Sequence, residues 1–365
     1  EEWITTRTKA ILRELAQVIG IVQSAAEFYP WAIAQLQILQ QLARDTITAT
    51  YYVLKQMEKE RHNYVEHVKQ QLPNYLSYRL QFLEEKWMAN KLWNSDKKVH
   101  ITKDMRRVLY RIYAVLRDKP YLWETPIAHV IKREEFMIST QDASHMAIGV
   151  AIPKRKMWLL IPYSKKTWQR IKLSQKNKRN IHINSLEAIA ITFAFLMFSA
   201  DYDKHRSEFP PQPVMLAKGD SMSANSWMRK STTKSLMGQN ALRFHTEYTR
   251  NQDIAIRTDH ISGKLNIVAD GISRVHKTYT PHKPFIFDTN YAELIQQVCS
   301  QFNELKSWRI FLPNPEIISD MRWIFSSTSA MEVPERRQNL GRFVHAERTF
   351  FGTAANAESW ITYFL

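Results

Sequence analysis

His260-Ile261-Ser262-Gly263-Lys264-Leu265-Asn266-Ile267-Val268-Ala269-Asp270-Gly271-Ile272-Ser273-Arg274 is the stretch on which the reading of this chain turns. It follows Ile254 to Thr258, an apolar and β-branched run that reads as a strand, and it carries Asp270 into the last helix of the middle segment. A carboxylate at the junction of a strand and a helix is a feature to search for elsewhere along the chain.

Upstream of it the hydrophobic period changes twice. Phe136 to Thr140, Ala147 to Ile152 and Met157 to Tyr163 read as three consecutive strands in a meander. A long apolar helix follows at about Ser185 to Phe198, then a proline-rich link at Phe209 to Pro213, a buried-type strand at Val214 to Ala217, and helical sequence around Ser223 to Tyr248. The order β-β-β-α-β-α-β-α predicts an α/β domain, α+β over the whole chain, built on a mixed five-stranded sheet over residues 131–277. Residues 1–130 read as helices, with stripes at Ile11, Leu12, Leu15, Val18, Ile19 and Val22 and again from Trp31 to Leu54; Asn94 to His100 reads as a loop. Pro281 and Pro284 mark a linker into a mostly helical extension over 278–365.

Four acids stand at comparable places in this order. Asp142 is expected after the first strand, Glu187 in the first turn of the long helix, Asp220 after the fourth strand and Asp270 entering the last helix. A single aspartate at such a place is usually a helix cap or a solvated charge. Four gathered together repel one another unless cations neutralise them, which is the arrangement that binds paired divalent metals. Oxygen ligands favour Mg2+, with Mn2+ as the close substitute.

The local sequence around the four acids resembles the signatures of ribonuclease H domains attached to retroelement reverse transcriptases. Gln141-Asp142-Ala143-Ser144 followed by Gly149 is similar to the first signature, and His182-Ile183-Asn184-Ser185-Leu186-Glu187 to the second. Gly219-Asp220-Ser221-Met222-Ser223-Ala224-Asn225-Ser226-Trp227 resembles the third, with Ser221 where Asn is common, and the stretch from His260 to Arg274 is very similar to the fourth. The resemblance covers about Phe136 to Val275 and is closest to tyrosine-recombinase-type, DIRS-like elements. It implies a ribonuclease H-like fold and a two-metal endonuclease that cuts the RNA strand of RNA–DNA hybrids. It further implies that Asp142 bridges two Mg2+ ions, that Asp270 helps hold the ion activating water, and that Glu187 and Asp220 hold the ion at the leaving oxygen. His260 matches the position of a mobile histidine that assists proton transfer or product release. Thr8 to Ala26 looks like the thumb or connection helices that follow a polymerase palm, so the implied partners are an RNA–DNA hybrid and the palm and fingers of the same polyprotein. No Asp-Asp pair occurs in the chain, so a polymerase centre is not expected here.

Composition agrees with a polyanionic partner. The 365 residues carry 51 Lys and Arg against 35 Asp and Glu, a net charge of +16. The excess is concentrated in 131–277, and Pro153 to Asn180 holds ten basic residues, no acid, and Trp158, Tyr163 and Trp168. Lys154, Arg155, Lys156, Lys165, Lys166, Arg170 and Trp168 are therefore candidates for phosphate and base contacts. Ser221, Ser223, Asn225 and Gln239 are candidates for reading 2′-hydroxyls in the wide minor groove of a hybrid. The longest near-apolar stretch, Ala188 to Ala200, is shorter than the roughly 20 residues that span a bilayer, so no membrane partner is expected. The single cysteine, Cys299, excludes an internal disulfide and suits an intracellular, reducing compartment. The start, Glu1-Glu2-Trp3, lacks an initiator methionine and a leader, as expected of a piece of a longer polypeptide. Two other readings compete: a catalytically inactive ribonuclease H-like module that binds or scaffolds nucleic acid, and flanks that serve as protein-interaction modules. His345, Arg348 and Tyr363 are too closely spaced for a recombinase centre, and His62, Glu66 and His67 read as a solvated helix face.

Overall fold

The computed structural model describes residues 7–25, 98–118, 134–177, 181–233, 235–249, 254–275 and 291–313, with shorter pieces within 32–40, 62–70, 317–321 and 350–352. The chain divides into two compact units, Glu1–Thr125 and Pro126–Leu365. In the first, strand β1 (Lys9–Ile11) leads into helix α1 (Leu12–Ala25), and β2 (Lys98–His100) precedes α2 (Lys103–Asp118). β1 and β2 pair antiparallel, with Lys9 opposite His100. This corrects the all-helix reading around Ile11 and, over Lys98 to His100, the loop reading, because three-residue strands are too short to leave a period; residues 94–97 lie outside the described residues. The Thr102 hydroxyl accepts from the Met105 N–H at 3.2 Å, a side-chain cap that starts α2, and Met105, Val108, Leu109 and Ile112 form its buried stripe.

The second unit is an α/β layer structure. Its strands are β3 (Met137–Ala143), β4 (Ala147–Ile152), β5 (Met157–Pro162), β6 (Val214–Gly219), β7 (Ala255–His260), β8 (Arg309–Leu312) and β9 (Phe350–Gly352). Its helices are α3 (Lys165–Asn177), α4 (Ile183–Lys204), α5 (Met222–Lys230), α6 (Leu236–Thr249), α7 (Ile267–Ser273) and α8 (Tyr291–Gln301). The sheet order is β7-β6-β3-β4-β5-β8-β9. β3, β4 and β5 are antiparallel neighbours, whereas β6 is parallel to β3 and β7 parallel to β6. The five expected strands are present. The sheet has seven strands among the described residues rather than five, because β8 adds parallel to β5 and β9 antiparallel to β8. Part of the extension read as mostly helical is thus sheet.

Alternation along β4 separates the two faces. Ile148, Val150 and Ile152 join the core against α4, together with Met157, Leu159 and Ile161 of β5. Ala147 and Ala151 face the other way, into a second cluster that contains Ile272, Val275 and the apolar side of α8. Helix α4 is 22 residues long, more than the stretch from Ser185 to Phe198 predicts. By length and composition it is apolar enough to cross a membrane, but it is 89% buried as the central helix of the core. Phe193, Phe195 and Phe198 are fully enclosed, each worth about 1.5–3 kcal/mol relative to exposure.

Within the basic segment, Pro153–Arg155 is a tight turn, Met157–Pro162 is strand β5 and Lys165–Asn177 is helix α3; residues 178–180 lie outside the described residues. Trp158 and Tyr163 are core side chains, 0% and 3% exposed, so neither is available for base stacking. Lys154 donates from Nζ to the Phe136 carbonyl at 3.1 Å, and Arg155 binds the fully buried Asp201 through Nε at 2.5 Å and Glu208 through Nη1 at 2.6 Å. Arg309 of β8 reaches the same Asp201 at 2.8 Å. Arg155 is thus committed to ion pairs within the fold, whereas Lys154 is exposed. Lys156, Lys165 and Lys166 are exposed, Trp168 is half-buried, and Lys172 lies 3.9 Å from its ring centre.

Gly149 sets how closely α7 approaches the sheet. A Cβ there would stand 2.5 Å from the Ala269 carbonyl oxygen and 2.6 Å from the Ser273 nitrogen, both backbone atoms of α7. Gly149→Ala is expected to destabilise the protein by about 1–3 kcal/mol, as overpacking does, measured as a lower denaturant midpoint with an unchanged slope. Wild-type stability in the variant would mean that α7 does not rest on β4.

Candidate metal centre

Three of the four acids converge. Asp142 is the penultimate residue of β3 and pairs across the sheet with Gly149. It lies within the strand, not after it, because the β3–β4 pairing runs on to Ala143 opposite Ile148. Glu187 sits in the second turn of α4 rather than the first, since the helix starts at Ile183 with His182 as its cap, accepting from the Asn184 N–H. Its Oε1 accepts from the Ala143 N–H at 3.2 Å, which ties helix to strand. Asp220 follows Gly219, the last residue of β6. The next residue, Ser221, caps α5 by accepting from Ala224 N–H at 3.2 Å and donates to Asn184 Oδ1 at 3.3 Å. Carboxylate oxygens of Asp142, Glu187 and Asp220 all lie within 4.8 Å of one another. Asp142 and Glu187 are 1% and 5% exposed, and Asp220 is half-buried.

Asp270 occupies the first turn of α7 and stands outside this group of three. Its Oδ1 is ion-paired with Arg274 Nε at 2.7 Å, one helical turn on. Its charge is still felt at Asp142. Burial pushes the Asp142 carboxyl above its ordinary range; the hydrogen bond from the Ser273 hydroxyl opposes this, Asp220 and Asp270 push it further up, and Arg274 acts downward. Burial drives Glu187 well above the ordinary glutamate range, reinforced by Asp142 and Asp220 and opposed by the Ala143 N–H and Arg274. The Tyr163 hydroxyl is also driven well up, by burial and then by Glu187 and Asp142, which puts this core tyrosine in the field of both carboxylates.

The surrounding polar groups fix the ends of the strands. Asn225 is 3% exposed and donates to the carbonyls of Gly219 at 2.9 Å and Asp259 at 3.0 Å. Asn266, the cap residue of α7, donates to the Gln141 carbonyl at 2.9 Å. Gln239 is 3% exposed and donates to the Thr233 carbonyl at 3.2 Å. The groove contacts expected of Asn225 and Gln239 are therefore corrected, since both amides are buried and hold the backbone. Ser221 is half-buried and Ser223 exposed. His260 ends β7 exposed, opposite Gly219.

Sequence reasoning missed Ser273, Asn266 and Tyr163. Asn266 and Ser273 lie four residues before and three after Asp270, so they share its helical face; that spacing was the available signal. Tyr163 was marked only as an aromatic of the basic segment, and nothing in the sequence signals that it lies in the field of Glu187 and Asp142 just after β5. The tail residues His345, Arg348 and Tyr363 lie outside the described residues.

Three carboxylates, two of them withdrawn from water, are a donor set that could hold a metal ion, whose charge would offset their mutual repulsion. Comparison of the chain with family models, with curated proteins and with solved structures finds no match.

The raised Glu187 carboxyl has a pH consequence. Above the ordinary value of 4.5 the unfolded chain releases this proton while the folded chain keeps it. Its stabilising contribution is thus full below that value and lost as the pH rises through the raised folded value. In metal-free buffer the thermal midpoint should fall from pH 5 towards pH 8, and Glu187→Gln should flatten that fall. Identical slopes in wild type and variant would show that the group does not carry the shift.

Proposed function

We propose that residues 131–277 form a ribonuclease H-like, metal-dependent endonuclease that cuts the RNA strand of RNA–DNA hybrids as part of a retroelement reverse transcriptase. The observation that carries the reading is the meeting of Asp142, Glu187 and Asp220 within 4.8 Å, from three sequence motifs that lie far apart in the chain. The mixed α/β sheet, with parallel β3 and β6 ending side by side at two of the acids, supports the same reading.

The donor set fits the expected ion. All three ligands are carboxylates, which suits Mg2+ or Mn2+, and burial and mutual repulsion raise the Asp142 and Glu187 carboxyls, a strain that a bound cation would relieve. Asp142, Glu187 and Asp220 would hold Mg2+, with Asp270 joining from α7 once released from Arg274. A divalent ion there supplies an acidified water and neutralises charge on the scissile phosphate. The chain's own residues do the rest. Ser273 orients the Asp142 carboxylate, and the Ala143 N–H orients Glu187. His260, exposed at the end of β7 opposite Gly219, would assist proton transfer or product release, as the resemblance implies. Lys156, Lys165 and Lys166 offer phosphate contacts, Ser221 and Ser223 stand beside Asp220 for a 2′-hydroxyl, and Trp168 offers a partly open ring.

The test is cleavage of a labelled RNA–DNA hybrid in Mg2+, with RNA–RNA and DNA–DNA duplexes as controls. The chain is expected to cut the hybrid alone, to lose at least about 100-fold in rate in Asp142→Asn, and to bind more weakly as salt rises. Intact hybrid from a folded sample, bound but uncut, would replace this reading with the inactive binding module.

A further inference from the structure

Among the described residues, the extension beyond residue 278 packs against α7 beside Asp270. Gly271 directly follows Asp270 on α7, and a Cβ on Gly271 would stand 2.3 Å from both Cε2 and Cζ of Phe302. The Cε2–Cζ edge of the Phe302 ring therefore abuts the only backbone position of α7 that has no side chain. Phe302 sits at the end of α8, where its N–H donates to the Val298 carbonyl at 2.9 Å, and it packs onto the cluster that joins Ile272 and Val275 of the α7 segment to Leu294, Ile295 and Val298 of α8. On its opposite side α7 rests on Gly149 of β4.

Helix α7 is only seven residues long, too short to hold its own shape by backbone hydrogen bonds. Its position comes from what covers it. The covering element is in turn fastened to the sheet: Tyr291 donates its hydroxyl to the Leu160 carbonyl at 2.9 Å, β8 pairs with β5, and Arg309 binds Asp201 at 2.8 Å. The side chains on α7 that face the carboxylates, Asp270, Ser273 and Arg274, are carried on the helix that is gripped in this way.

We propose that Phe302 is a positioning residue for the metal centre: by clamping Gly271 between itself and the sheet, it sets where Asp270 and Ser273 stand relative to Asp142. The C-terminal extension is then a working part of the site rather than an appendage. The chemical consequence rests on the proposed metal-dependent function; the mechanical claim does not.

The two are separated by the choice of readouts, made on the full chain. Hydrogen exchange reports the clamp without any metal. In Phe302→Ala, amides of residues 267–274 should exchange at least tenfold faster while those of β3, β4 and β5 keep their protection. Phe302→Leu should restore most of the protection. Gly271→Ala, whose methyl displaces the ring, should reproduce the Phe302→Ala pattern, and the double variant should be no worse than either single one. Unchanged exchange over 267–274 in Phe302→Ala overturns the proposal. The second readout is the rise in thermal midpoint on adding Mn2+. A purely structural loss lowers the midpoint equally with and without the ion, whereas a positioning loss shrinks the Mn2+-induced rise, with affinity weaker by roughly tenfold as for other residues that orient metal ligands. A full Mn2+ response in Phe302→Ala with loosened α7 also overturns it. Absence of a Mn2+ response in the wild type, with the exchange effect present, counts against the metal reading and leaves the clamp standing.

Discussion

Burial of like charge is the constraint from which the rest of the second unit follows. Asp142 and Glu187 are almost wholly shielded from water, and Asp220 completes a group whose oxygens lie within 4.8 Å. Such a cluster opposes folding by desolvation and by mutual repulsion. What the fold offers against it is limited: one backbone N–H for Glu187, one hydroxyl for Asp142 and the nearby guanidinium of Arg274. The three strand and helix ends that carry the acids are accordingly locked by other means. Asn225 staples Gly219 to Asp259, Asn266 ties α7 to Gln141, and Ser221 joins the starts of α5 and α4. The large apolar core around α4 supplies the stability that an unfavourable site consumes.

Small residues decide the geometry as much as charged ones do. Ala147, Gly149 and Ala151 alternate on the α7 face of β4, which lets a helix backbone lie directly on the strand. The bulky residues of the same strand, Ile148, Val150 and Ile152, fill the opposite layer. One six-residue strand thus builds the hydrophobic core with one set of side chains and makes room for the site with the other.

Much of this was legible in the sequence. The strand runs, the long helix and the order of elements follow from hydrophobic period, and the motif residues pointed to Asp142, Glu187 and Asp220 before any distance was known. What could not be read follows from physics that sequence does not display. Strand β8 depends on pairing with β5 across about 150 residues of chain, and β9 on pairing with β8. Trp158 and Tyr163 look like nucleic-acid contacts by composition, but the β5 pleat and the β4 register bury them. Arg155 reads as a phosphate ligand until Asp201, 46 residues on, turns out to be its partner. Asn225 and Gln239 show the same limit, since a polar side chain on a helix gives no sign of which backbone group it will satisfy.

The central claim is that the three converging carboxylates are a divalent-metal site. It is tested most directly by calorimetric titration of Mn2+ into the full chain, beside Asp142→Asn, with folding of both checked independently. The account predicts saturable binding in the wild type that the variant loses. No binding by the folded wild type, or equal binding by both, would contradict it.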